Sequence, residues 1–215
     1  MYEAILFDLD GTLTDSGPGI TKSVSYALEK MGRPCEDLEK LAVFVGPPLL
    51  DMFQSFAGFT EEEAREAIRY YRERFVPIGM FENSVYPGIE ETLAALKKKG
   101  YRLAIASSKP EPYIHQILEY FGIKDYFEVI VGPPLGDKGI TKADCIQEAL
   151  RLLGLDTQKE RVLMVGDTSY DVEGARQIGL SCLAVTYGYG KREDLEASKP
   201  LAMVDRPEEI LDFFS

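Results

Sequence analysis

From Val85 onward the chain repeats one rhythm, in which an amphipathic helical stretch ends at a glycine and a short, wholly apolar run follows. Ile89, Leu93 and Leu96 share a helical face that stops at Gly100, and Arg102 to Ala106 then reads as a buried strand. Ile114, Ile117, Leu118 and Phe121 repeat the pattern before Gly122. Ile140, Ala143, Ile146, Ala149, Leu150 and Leu153 repeat it before Gly154, with Val162 to Val165 following. Gly179 closes a further helix and leads into Cys182 to Val185. Glycine suits these ends because a helix often finishes on a left-handed residue, which a side chain disfavours. A strand with one wet face would alternate apolar and polar residues, whereas these runs are apolar throughout. The expected fold class is therefore α/β, a Rossmann-like parallel sheet with helices on both faces.

Residues 15–84 break the rhythm. Ile20, Val24, Ala27, Leu28 and Met31 make one amphipathic helix. Ala64, Ala67, Ile68, Tyr71 and Phe75 make another, and Thr60 with Glu63 forms a capping-box start for it. No buried strand separates the two. The expected organisation is an α/β core from residues 1–14 and 85–215, with 15–84 inserted after the first strand as a helical cap domain. The string Val-Gly-Pro-Pro-Leu occurs at 45–49 and again at 131–135, but the flanking residues do not match. Each copy reads as a stiff turn rather than as half of a duplication.

Charge and composition exclude several functions. Asp and Glu number 36 against 24 Lys and Arg, a net charge of -12, which disfavours nucleic acid and anionic membrane as partners. His115 is the single histidine, so a histidine-relay hydrolase or a multi-histidine metal site is disfavoured. Set among Ile114, Ile117 and Leu118, it reads as structural, and Lys97 to Lys99 reads as a favourable cationic helix C-terminus. Cys35, Cys145 and Cys182 are odd in number and far apart, which fits a reducing compartment. With no basic leader before Asp8 and no apolar run near the roughly 18 residues that span a bilayer, a cytoplasmic location is expected.

The chemistry is concentrated at two strand ends. Ala4 to Phe7 runs into Asp8-Leu9-Asp10-Gly11-Thr12, so alternation places Asp8 and Asp10 on the same side near the carboxyl end of a strand. Val162 to Val165 runs into Gly166-Asp167-Thr168-Ser169-Tyr170-Asp171. Either cluster alone could be a turn or a helix cap. Together they offer the oxygen-rich donor set that Mg²⁺ takes alongside a substrate phosphate.

These strings, with Ser107 and Ser108 after the apolar run Arg102 to Ala106, a later lysine and the helical insertion, resemble the ordered motifs of the haloacid dehalogenase-like superfamily. Phe44 to Leu49, Phe81-Glu82-Asn83, Tyr86-Pro87-Gly88 and Tyr187-Gly188-Tyr189-Gly190 are similar to its phosphoglycolate phosphatase-like group, whose members include phosphoglycolate phosphatases and 5′-nucleotidases. The resemblance implies a Mg²⁺-dependent phosphatase in which Asp8 is the nucleophile and Asp10 the general acid and base. It implies a metal held by Asp8, the Asp10 carbonyl and Asp167, with Asp171 behind them. Ser107, the Ser108 amide and a lysine would bind the phosphoryl group; Lys142 is preferred for the lysine, with Lys138 the alternative. Thr12, Phe44, Gly46, Pro47 and the residues to Leu49 are expected on a cap-facing or substrate-facing wall, and the cap is expected to close over the site. The expected partner is a small phosphorylated metabolite, with 2-phosphoglycolate ahead of a nucleoside monophosphate. The protein is expected to act as a monomer or homodimer. A β-phosphoglucomutase-like phosphomutase and a non-catalytic phosphometabolite sensor are the rival readings.

Overall fold

The computed structural model describes residues 2–136 and 139–214 and divides into two compact units, 1–14 with 85–215 and 15–84. The first unit is built on a six-stranded sheet. Its strands are β1 (Ala4–Phe7), β4 (Arg102–Ala106), β5 (Val129–Val131), β6 (Val162–Gly166), β7 (Ser181–Val185) and β8 (Ala202–Val204), in the order β5-β4-β1-β6-β7-β8. Each strand of this sheet pairs parallel with its neighbours. Between them run α4 (Ile89–Lys98), α5 (Glu111–Tyr120), α6 (Lys142–Leu153), α7 (Ser169–Ile178), α8 (Arg192–Ser198) and α9 (Pro207–Phe213).

The apolar strand runs are explained by burial from both sides. Ala4 and Leu6 pack with Cys145, Ile146, Ala149, Leu150 and Val172 of α6 and α7, while Ile5 and Phe7, which alternate away from them, are also fully buried. At about 25 cal/mol per Å² of apolar surface, each buried Leu, Ile, Val or Phe side chain contributes about 1.5–3 kcal/mol. The edge strands β5 and β8 have three residues each and were not expected from the sequence, because runs so short lack a pattern. No described helix is long and apolar enough to cross a membrane.

The second unit holds α1 (Gly17–Lys30), α2 (Leu49–Ala57) and α3 (Glu61–Phe75). Thr60 and Glu63 do form the capping box at the start of α3. The backbones of α1 and the Gly79 turn approach so closely that a Cβ on Gly19 would overlap the Gly79 carbonyl. Helix α2 is an addition to the two expected helices; Leu49, Met52, Phe53 and Phe56 recur along it at helical spacing, and of its apolar residues Phe53 is the one fully buried. The chain passes between the units through the short strands β2 (Thr14–Asp15) and β3 (Ser84–Val85), which form a separate two-stranded sheet.

Glu82 ties this second unit together electrostatically. It lies 2.8 Å from Arg74 and 2.9 Å from Lys22, and the Arg74 hydrogen bond, opposed by partial burial and aided by Lys22, lowers its pKa to about 2. A carboxyl whose pKa is depressed on folding adds stability above its unfolded value, and loses it as pH falls through the folded one. After discounting for solvent screening, Glu82→Gln is expected to cost about 1–2 kcal/mol in urea unfolding at pH 7. The difference should narrow by about pH 3, as the carboxyl begins to protonate. A deficit that is the same at both pH values would show that the ion pairs are not its source.

Candidate active site

The sheet brings three strand ends to one edge. Phe7 of β1 is in register with Ile105 of β4 and Val165 of β6, so Asp8, Ser107 and Asp167 leave the sheet side by side. β4 and β5 lie on one side of β1, and β6, β7 and β8 on the other. This reversal of strand order opens the crevice in which parallel α/β sheets bind ligands.

Lys142 joins two of the carboxylates. As the first residue of α6, whose start is set by reciprocal hydrogen bonds between Thr141 and Asp144, it places Nζ 2.8 Å from both Asp8 Oδ1 and Asp171 Oδ1. It also donates to the Ala106 carbonyl at 3.2 Å. A cation at a helix N-terminus runs against the helix dipole, so the carboxylates decide its position. Burial works against the ammonium, but the Asp171 and Asp8 charges outweigh it and hold its pKa above the ordinary lysine value. Its stem runs over Gly174 of α7, where a Cβ would come within 2.8 Å of Lys142 Cγ. Lys138, the alternative, lies outside the described residues.

Among the described residues, no lysine or arginine pairs with Asp167. Fully buried, it accepts from the Tyr189 amide at 2.7 Å and from the Thr12 hydroxyl at 3.2 Å. Burial first, and then the Asp171 and Asp8 charges, push its carboxyl well above the usual range, against the pull of those two donors. Asp171 is also fully buried and is pushed up by burial, with Lys142 pulling the other way. Its Oδ2 accepts from the Thr168 amide at 3.0 Å and hydroxyl at 2.7 Å, so its second oxygen caps α7 while the first faces Lys142.

Oxygen atoms of Asp8, Asp167 and Asp171 lie within 4.8 Å of one another, all buried. A buried cluster of three carboxylates, of which one ammonium contacts two, is short of positive charge, and a hard divalent cation is the ion that oxygen donors of this kind accept. The residues therefore fit Mg²⁺. Asp10 contributes no carboxylate to this group. It is 6% exposed, its Oδ2 lies 2.9 Å from Lys109 Nζ, and its Oδ1 has no hydrogen-bond partner among the described residues.

Thr12 is fully buried and donates its hydroxyl to Asp167, which orients that carboxylate. Phe44 is 1% exposed, with its ring centroid 5.0 Å from that of Phe53 and 5.3 Å from that of Phe56, and is a core residue of the 15–84 unit. Gly46 and Pro47 are half-buried in that unit. Ser107 is buried and its hydroxyl accepts from the Lys109 amide at 3.3 Å, while Ser108 is half-buried. His115 Nε2 lies 3.9 Å from Glu111 on the same helix.

The contributions of Lys109, Thr168 and the loop after β7 were not expected. The Tyr187 hydroxyl donates to the Thr12 carbonyl at 2.8 Å, and its ring lies 4.9 Å from that of Tyr86. A Cβ on Gly188 would overlap both the Asp167 carboxylate and the Gly11 carbonyl, and one on Gly11, where φ is +82°, would overlap the same carboxylate. The two glycines among tyrosines at 187–190 were the available signal, because only glycine lets backbone approach a buried carboxylate this closely.

Residues 5–185 match the family model for haloacid dehalogenase-like hydrolases, and the chain belongs to that family. It is 43% identical to a 5′-nucleotidase of Pseudomonas aeruginosa over 93% of this chain and 89% of that protein. It is 31% identical to a phosphoglycolate phosphatase of Pectobacterium atrosepticum, over 96% of this chain and 90% of that one. It is also 39% identical to the tyrosine-protein kinase PtkA of Mycobacterium tuberculosis, over 90% of this chain but 65% of that longer protein. The crystal structure of a predicted phosphatase from Clostridium acetobutylicum superposes with a TM-score of 0.96 at 45% identity, covering 100% of this chain and 98% of that one.

Proposed function

We propose that the protein hydrolyses a small phosphomonoester through a phosphoaspartate formed on Asp8, with Mg²⁺ held by Asp8, Asp167 and the Asp10 carbonyl. The chain is a phosphoric monoester hydrolase of the haloacid dehalogenase-like family. What supports this mechanism most directly is the Lys142 ammonium 2.8 Å from Asp8 at the end of β1, a cation set beside a nucleophile that must meet an anion. When bound, Mg²⁺ supplies positive charge to the phosphoryl oxygens.

Asp8 attacks phosphorus while Asp10 gives a proton to the leaving oxygen, so an alcohol departs and the phosphoryl group stays on Asp8. Asp10 then removes a proton from the water that opens the phosphoaspartate, and phosphate leaves. Lys142 offsets the charge of Asp8 and the phosphoryl group, with Asp171 keeping the ammonium in place. Ser107 and the Ser108 amide bind phosphoryl oxygens. Residues 15–84 act as the cap that determines which alcohol is accepted.

The substrate read from the sequence is 2-phosphoglycolate or a close analogue. A nucleoside monophosphate is the second reading, favoured by the higher identity to the 5′-nucleotidase. A panel of both kinds of phosphomonoester, scored by phosphate release, decides between them. Excess chelator should bring release to background and added Mg²⁺ should restore it; turnover that persists in chelator would remove Asp167 from its role. Isomerisation of a sugar phosphate without free phosphate would overturn the hydrolytic reading.

A further inference from the structure

We propose that Lys109 is a positioning residue for Asp10, fixing which of its two carboxyl oxygens handles the proton; the inference rests on the role of Asp10 given above. Lys109 Nζ lies 2.9 Å from Asp10 Oδ2, and the two side chains are 6% and 8% exposed. The other oxygen of the same carboxyl, Oδ1, is buried and has no hydrogen-bond partner among the described residues. An ammonium only donates, so Oδ2 must accept whenever the pair is intact. A proton carried by Asp10 then resides on Oδ1, and the lysine also fixes the carboxyl's rotation. In the first step that proton passes from Oδ1 to the ester oxygen as the P–O bond breaks and the Asp8 O–P bond forms. In the second, Oδ1 takes a proton from the attacking water.

The repeated Val-Gly-Pro-Pro string at 131–134 supplies the anchor for this lysine. A Cβ on Gly132 would overlap the Lys109 carbonyl, so the loop after β5 lies directly against the Lys109 backbone. Pro133 accepts from the Glu111 amide at 3.0 Å, Val131 accepts from the Ser107 amide at 3.0 Å, and the Lys109 amide donates to the Ser107 hydroxyl at 3.3 Å. Both sides of Lys109 are thereby fixed to β5 and its exit. The stiffness of a Gly-Pro-Pro turn, which as a loop feature has no evident purpose, here holds the base of a side chain that reaches the proton-transfer group.

Leaving groups of different basicity provide the test. An alkyl phosphate needs its leaving oxygen protonated, whereas p-nitrophenyl phosphate departs as a stable anion and does not. Single-turnover rates of phosphoenzyme formation are measured for Lys109→Met, Lys109→Arg, Asp10→Asn and the parent on both substrates. Lys109→Met is expected to slow the alkyl phosphate about 10–100-fold and p-nitrophenyl phosphate less than about threefold, with Lys109→Arg recovering most of the loss. A merely structural lysine would slow both substrates alike, and that result, or no slowing of either, would overturn the proposal. If Asp10→Asn also fails to discriminate between the substrates, the role of Asp10 itself is wrong. If Asp10→Asn discriminates and Lys109→Met does not, only the role of Lys109 is wrong. Should Lys109→Met not fold, Lys109→Gln, which keeps a neutral donor on a shorter stem, carries the same comparison.

Discussion

Asp8→Asn is expected to lower phosphate release by about 10⁴-fold or more, as loss of a covalent nucleophile does, while the protein remains folded. The two effects separate because of the charges around the site. An asparagine oxygen can still accept from Lys142, which keeps Asp171 as its ionic partner at 2.8 Å. Removing the Asp8 charge also relieves a repulsion that helps to push Asp167 and Asp171 upward. Lost attraction and lost repulsion nearly offset each other, so unfolding free energy in metal-free buffer should change by no more than about 1 kcal/mol. Phosphate release and urea unfolding on the same preparation check both halves. Residual turnover near the parent value would exclude the phosphoaspartate.

Lys142→Met should behave differently, losing stability and turnover together. Methionine keeps a stem of similar length over Gly174 but leaves Asp8 and Asp171 buried without their ammonium. Removing one partner from a buried ion pair costs about 3–5 kcal/mol, because the remaining charge is uncompensated. Turnover should fall by about 10²–10³-fold, the scale of losing one preorganised group that stabilises transition-state charge. Urea unfolding in chelator reads the first effect and single-turnover kinetics the second. A variant as stable as the parent would show that the ammonium does not compensate the buried charges.

The core of the site was legible in the sequence because strand geometry and motif order operate locally. Asp8 and Asp10 follow an apolar run at alternate positions, and Asp167 follows another, so their arrival at strand ends required only the period of two. Lys142 could be preferred from its place at the start of an amphipathic helix. The contacts of Thr12 and Lys109 were not legible in the same way. Each depends on a partner far along the chain: Asp167 for Thr12 and Asp10 for Lys109. No local pattern encodes such a partner.

By itself the sequence determined the class of fold, the two strand ends and the carboxylates they carry, since hydrophobic period and turn chemistry act over a few residues. Only the tertiary structure decided how charge is shared among them. The register of β1 with β4 and β6 brings Asp8, Asp167 and Asp171 within 4.8 Å, places one ammonium between two of them and leaves Asp167 to neutral donors. Burial makes each of those pairings consequential, because a charge removed from water depends on whatever the fold has put next to it.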